Sequence, residues 1–165
     1  MEYHTRKSTR VPGYDYNSPG SYFITFCVKN RGCILSKIVA KDFGWGIQLL
    51  PAGHIADRIL RQMDAFYAYL AVDKYIIMPD HIHVLLTITD LTSANVGTND
   101  PANAIIARFV GSFKRFFSKE YGENIWQDGS YDHLIRNEKD YMEKWQYIDY
   151  NPAKWIVAGK THIVE

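Results

Sequence analysis

The spacing His81-Ile82-His83 is the sharpest chemical signal in the chain. Along a β-strand successive side chains alternate faces, so His81, His83, Leu85 and Thr87 point one way. Ile82, Val84, Leu86 and Ile88 point the other way and form an unbroken apolar set suited to packing under helices. Two imidazoles side by side on the polar face are close enough to share a divalent cation. A third protein ligand, with water or a substrate oxygen, would complete the shell. The same pair also reads as two solvated or mutually hydrogen-bonded histidines, and spacing alone leaves both readings open. Pro79-Asp80 is a stop signal directly before the pair. His133 is a further candidate ligand, whereas His4, His54 and His162 read as surface residues.

A second stretch, 137–152, is rich in tyrosine: Tyr141, Tyr147 and Tyr150. Tyr147 and Asn151 are four apart and share a helix face. Pro152 disfavours helical geometry at Asn151, so the spacing predicts a helix over 137–150 that kinks or ends at Asn151-Pro152. Each tyrosine taken alone reads as an amphipathic packing residue with its hydroxyl at the surface.

These groups need a scaffold, and the pattern supplies one. Ser21–Val28 is dense in aromatic and β-branched residues and reads as a buried strand. Residues 29–50 contain Gly32, Gly44 and Gly46 and suggest a hairpin excursion. Ile55, Ile59, Leu60, Met63 and Phe66 recur at helical spacing within Gly53–Tyr69. Val72–Pro79 and His81–Ile88 read as strands, and Asp90–Pro101 as a polar loop. Ala102–Tyr121 reads as a helix with an apolar stripe, and Tyr131–Ile135 as a short strand. Strand, helix, strand, strand, helix, strand, helix is the order of an α+β, ferredoxin-like split β-α-β domain. It predicts one domain over residues 1–165, with two helices on one sheet face and the other face free for a ligand.

Composition excludes more than it identifies. At 165 residues, with 47% hydrophobic and 22% charged side chains, the chain is no disordered tail, collagenous repeat or coiled-coil rod. No apolar run approaches the ~20 residues needed to cross a bilayer, and the N-terminus lacks a signal-peptide core, which predicts a cytoplasmic protein. Cys27 and Cys33 are too few for a disulfide framework and lack the partners of a zinc knuckle. Nineteen Lys and Arg against eighteen Asp and Glu give a net charge of +1, so any nucleic-acid binding must come from local patches. Two such patches are Arg6, Lys7 and Arg10 in an N-terminal arm over residues 1–20, and Arg108, Lys114, Arg115 and Lys119 on the second helix. Both also read as ordinary solvated surface. Trp126 and Tyr131 read as packing residues or as platforms for base stacking.

Three blocks in order carry a resemblance: Met78-Pro79-Asp80-His81-Ile82-His83-Val84-Leu85-Leu86, then Trp126-Gln127 with Tyr131-Asp132-His133-Leu134-Ile135-Arg136, then Tyr147-Ile148-Asp149-Tyr150-Asn151-Pro152-Ala153-Lys154-Trp155. Together with Arg6-Lys7-Ser8-Thr9-Arg10, Gly13-Tyr14-Asp15-Tyr16 and Tyr22-Phe23-Ile24-Thr25, they resemble the REP-associated tyrosine transposases, a branch of the HUH single-strand transposases. The resemblance spans nearly the whole chain. It implies a bacterial, cytoplasmic, nucleoid-associated endonuclease and strand transferase acting on single-stranded DNA beside imperfect hairpins. It implies His81 and His83 as metal ligands, Tyr147 as nucleophile and Asn151 as third ligand, a position where related transposases can carry Gln. It also implies a ferredoxin-like fold ending in a tyrosine-bearing helix, in a monomer or a homodimer whose subunits exchange that helix.

The implied chemistry has a physical logic. Tyrosine's reference pKa of about 10 leaves roughly one phenolate in a thousand at neutrality, about 4 kcal/mol uphill, so nearby positive charge would help. Attack by Tyr147 would give a 5′-phosphotyrosine bond and a free 3′-OH, storing the energy for rejoining. Two imidazoles and an amide predict Mg²⁺ or Mn²⁺ as cofactor. The competing reading is a non-catalytic module that binds structured single strands. A phosphohydrolase of small substrates is disfavoured by the lack of a carboxylate cluster near His81.

Overall fold

A computed structural model describes residues 20–90 and 101–159, with side chains from 104 onward in the second stretch. The elements are β1 (Ser21–Cys27), β2 (Ser36–Lys41), β3 (Gly44–Leu49), α1 (Pro51–Phe66), β4 (Leu70–Ile77), β5 (His81–Ile88), α2 (Pro101–Tyr121), β6 (Tyr131–Leu134) and α3 (Glu138–Val157). The main sheet runs β4-β5-β1-β6, antiparallel throughout, which is the ferredoxin-like order expected from the element sequence. The excursion over 29–50 is a separate two-stranded hairpin, β2-β3. No helix among the described residues is long and apolar enough to cross a membrane.

The alternation read from β5 holds. Ile82, Val84, Leu86 and Ile88 are buried with Tyr22, Ile24 and Phe26 of β1 under α1 and α2, against Ile59, Leu60, Phe109 and Phe113. Trp126 belongs to this core, 1% exposed and packed edge-on to Phe26 and Phe117. The other face departs from expectation. It is covered by α3 rather than open: Phe23, Leu85 and Ile148 form a second cluster, flanked by Tyr141, Trp145 and Tyr147. A third cluster of Ile38, Met78 and Trp155 joins the end of α3 to the β2-β3 hairpin.

The last helix also runs further than predicted, through Pro152 to Val157. A proline inside a helix removes a backbone donor and crowds the preceding turn. In the turn before it the Asn151 side chain donates from Nδ2 to the Tyr147 carbonyl at 2.9 Å. Burial of Pro152 and Trp155 against the sheet offsets the cost. At its start, α3 is capped by Asn137, whose Oδ1 accepts from the Asp140 amide at 2.8 Å. Residues 1–19, which include Arg6, Lys7, Arg10 and His4, lie outside the described residues, as do 91–100 and His162.

Candidate active site

The antiparallel register builds one wall of the site. Thr25 pairs with both His83 and Tyr131, and Cys27 pairs with His81, so these side chains line up across three strands on the α3 face. The tight turn at Met78–His81, closed by the Met78 amide donating to the His81 carbonyl, starts β5 with His81 as its first residue. Val28 and Leu35 amides donate to the Asp80 and Pro79 carbonyls at 3.0 Å, gripping that turn from outside. The opposite wall is α3, which brings Tyr147, Asn151, Lys154 and Trp155 over the strands. Between the walls lies a cleft of about 300 Å³, lined also by Arg31.

Inside it, His81 Nε2 and His83 Nε2 face each other at 3.1 Å. Each ring is fixed from behind. His81 Nδ1 donates to Asp80 Oδ1 at 2.6 Å, and Thr25 Oγ1 lies 2.6 Å from His83 Nδ1. Both imidazoles are nearly buried, at 7% and 6% exposure. Burial first, then the positive charges of His81, Arg31 and Lys154, pushes the His83 pKa down to about 3. The ring is therefore neutral at neutral pH and has a lone pair to offer. Burial alone would raise the Asp80 carboxyl, but its bonds to His81 and Arg31 outweigh this and hold it below the usual range.

This donor set fits a divalent cation. Two nitrogens each about 2.1 Å from one ion at a right angle lie about 3.0 Å apart, close to the observed spacing. Ligating histidines characteristically have the other ring nitrogen held by a carboxylate or hydroxyl, as both have here. The space between the two Nε2 atoms, 3.1 Å apart, is a position that a cation can take. Among the described residues no group of three His, Cys, Asp or Glu side chains converges as ligands. Among the described residues a third protein ligand would be of another type. Asn151 lines the same cleft, buried, and its bond to the Tyr147 carbonyl uses the amide nitrogen and leaves Oδ1 as an acceptor.

The three tyrosines of α3 have separate fates. The Tyr147 ring lies 5.4 Å from the His83 ring, edge-on, with Lys154 Nζ 4.7 Å from its centroid. Among the described residues its hydroxyl makes no hydrogen bond. Tyr141 donates to Asp73 at 2.9 Å, and burial and that carboxylate push it up to about 12. Tyr150 is 68% exposed and does not line the cleft.

Amino-acid comparison places the chain beside known proteins. No family model matches it. A REP-associated tyrosine transposase of Escherichia coli strain K12 is 31% identical over 144 residues, covering 86% of this chain and 72% of the relative. A Haemophilus influenzae protein provisionally given the same name is 38% identical over 152 residues, covering 85% and 74%. The chain belongs to the REP-associated tyrosine transposases. Its fold matches that of a solved REP-associated tyrosine transposase bound to a REP hairpin, with a TM-score of 0.59 at 23% identity over 93% of this chain and 74% of the other.

In this family member the structure gathers His81, His83, Tyr147 and Asn151 and leaves other candidates elsewhere. His133 Nε2 is engaged by Asp140 at 2.9 Å, an anchor for the first turn of α3. Arg108, Arg115 and Lys119 are exposed on α2, which packs on the opposite sheet face. Lys114 donates to the Gln127 and Gly129 carbonyls in the loop that leads into β6. None of the four lines the cleft. The cations that do are Arg31 and Lys154, which sequence reading did not single out as site residues. Tyr131 is 51% exposed at the cleft, on the wet side of the two roles considered for it.

Proposed function

We propose that this protein is a metal-dependent nickase and strand transferase of single-stranded DNA beside hairpins, acting through a covalent tyrosine intermediate. One observation carries the reading: two mutually facing imidazole nitrogens, each braced from behind, share a cleft with a tyrosine whose hydroxyl makes no hydrogen bond among the described residues. The hairpin-bound relative and the named transposases support DNA as the substrate class.

In this reading His81, His83 and the Asn151 carbonyl hold Mg²⁺ or Mn²⁺. When bound, that ion supplies Lewis-acid polarisation of a phosphodiester oxygen. The chain's own residues do the remainder. Tyr147 Oη attacks phosphorus, the bond from phosphorus to the 3′-oxygen breaks, and the phenolic proton ends on that oxygen. The products are a 5′-phosphotyrosine and a free 3′-OH, so no ATP is needed for rejoining. Lys154, over the Tyr147 ring, places positive charge where the phenol must lose its proton. Asp80 and Thr25 keep both imidazoles aimed inward.

The test is incubation with Mn²⁺ and single-stranded oligonucleotides containing the hairpins that flank the gene, read as a protein–DNA adduct stable to SDS. We expect an adduct with Mn²⁺, none with chelator, and none from His81→Ala with His83→Ala. Tight hairpin binding without an adduct under any of these conditions would instead establish the binding-module reading.

A further inference from the structure

We infer that Arg31 is the phosphate-binding residue of the cleft, gripping a backbone phosphodiester of the strand that enters it. The inference rests on the reading above that the cleft takes single-stranded DNA, and it deepens that reading.

The backbone around Arg31 is costly. Asn30 and Arg31 both adopt left-handed geometry, with φ of 56° and 53°, a region that side chains other than glycine seldom occupy. Surrounding bonds hold them there. The Lys29 amide donates to the Ile125 carbonyl at 2.8 Å, the Arg31 amide to the Val28 carbonyl at 3.0 Å, and the Val28 amide to the Asp80 carbonyl. Strained backbone fixed on several sides is a usual way to aim a functional side chain.

The side chain is aimed in the same way. Arg31 Nε donates to Asp80 Oδ2 at 2.8 Å, and Nη1 to Cys27 Sγ at 2.9 Å. Asp80 is the carboxylate whose other oxygen braces His81. One buried anion thus aligns the guanidinium with the histidine pair. The remaining N–H groups of the fork have no partner among the described residues, and the side chain is 45% exposed where it lines the cleft.

Charge points to the ligand. Among the described residues Arg31 and Lys154 line the cleft, and no carboxylate does. Asp80, just behind, already accepts from both His81 and Arg31. A planar fork with open donors suits the paired oxygens of a phosphodiester.

The test uses full-length protein and a hairpin oligonucleotide with its single-stranded flanks. Arg31→Gly suits the left-handed backbone and removes only the fork, while Asn30→Gly eases the neighbouring residue and keeps the fork. Arg31→Gly is expected to weaken binding about 10- to 100-fold. It should also flatten the log–log salt dependence by about 0.7, the loss of one single-strand phosphate contact. Mn²⁺ affinity without DNA should fall far less than DNA affinity, because Asp80 still holds His81. Asn30→Gly should behave as wild type. Should Arg31→Gly fail to fold, Arg31→Asn, which tolerates this backbone and lacks the fork, carries the same expectations. Unchanged affinity and salt slope would overturn the assignment. A loss of Mn²⁺ affinity in step with DNA affinity would also overturn it, by making Arg31 a support for His81. The Arg31 signature in a protein that forms no covalent adduct would uphold the assignment and defeat the tyrosine mechanism.

Discussion

His83 shows how much of the site's behaviour is set by burial of one ring. Its pKa, pushed down to about 3, lies below the 6.5 of an unfolded histidine, so between these values the unfolded chain binds the extra proton. Its contribution to stability is therefore complete above about pH 6.5 and is lost as pH falls toward 3. In chelator-treated protein, denaturant titrations should show stability falling by up to about 1.4 kcal/mol per pH unit across that window. His83→Asn should flatten this slope, and an unchanged slope would show that the ring is not held neutral. Asp80 belongs to the same scale. Replacing it with Asn exchanges the carboxylate that holds His81 Nδ1 for a neutral amide, and calorimetry should show Mn²⁺ affinity reduced about 10- to 100-fold. The parity of residues 81 to 88 made the histidine pair legible in the sequence, because face alternation is a local property. Arg31 was not legible: its partner Asp80 is 49 positions away, and a left-handed turn of Asn and Arg has no glycine to announce it.

At the level of elements, everything depends on how α3 is seated. The helix is held by Ile148 against Phe23 and Leu85, by Tyr141 on Asp73, and by Lys74 with Asp149 at 2.7 Å. The Lys74–Asp149 pair is partly solvated and adds little, so apolar burial must dominate. Ile148→Ala, at a position 2% exposed, should cost about 2–5 kcal/mol in a urea titration. It should also lower the adduct yield more than Lys74→Ala does; equal effects would mean that the surface pair sets the helix. Sequence periodicity located α3 but ended it at Pro152. The proline rule is local, whereas Trp155, which follows Pro152, is buried against Ile38 and Met78 from elsewhere in the fold. The basic face of α2 was likewise visible as a charge pattern. The sheet face that it covers was legible too, from the apolar parity of 82, 84, 86 and 88; that α3 would cover the opposite face was not.

Within one chain, the sheet that presents the imidazoles and the helix that presents Tyr147 are packed together, so on the proposed reading one chain supplies both halves of the site. Mixing Tyr147→Phe with the double variant His81→Ala, His83→Ala should therefore restore no cleavage; recovery in the mixture would show that subunits exchange the helix. The near-neutral net charge of +1 has a consequence at this scale too. Without a global field, DNA binding must come from local clusters of cations, and among the described residues Arg31 and Lys154 are the ones that line the cleft. The most direct measurement of the whole account is peptide mapping by mass spectrometry of the adduct formed with Mn²⁺ and hairpin DNA. We predict the nucleotide remnant on Tyr147 alone and no adduct from Tyr147→Phe. A remnant on Tyr141 or Tyr150, or an adduct that persists in Tyr147→Phe, would contradict it.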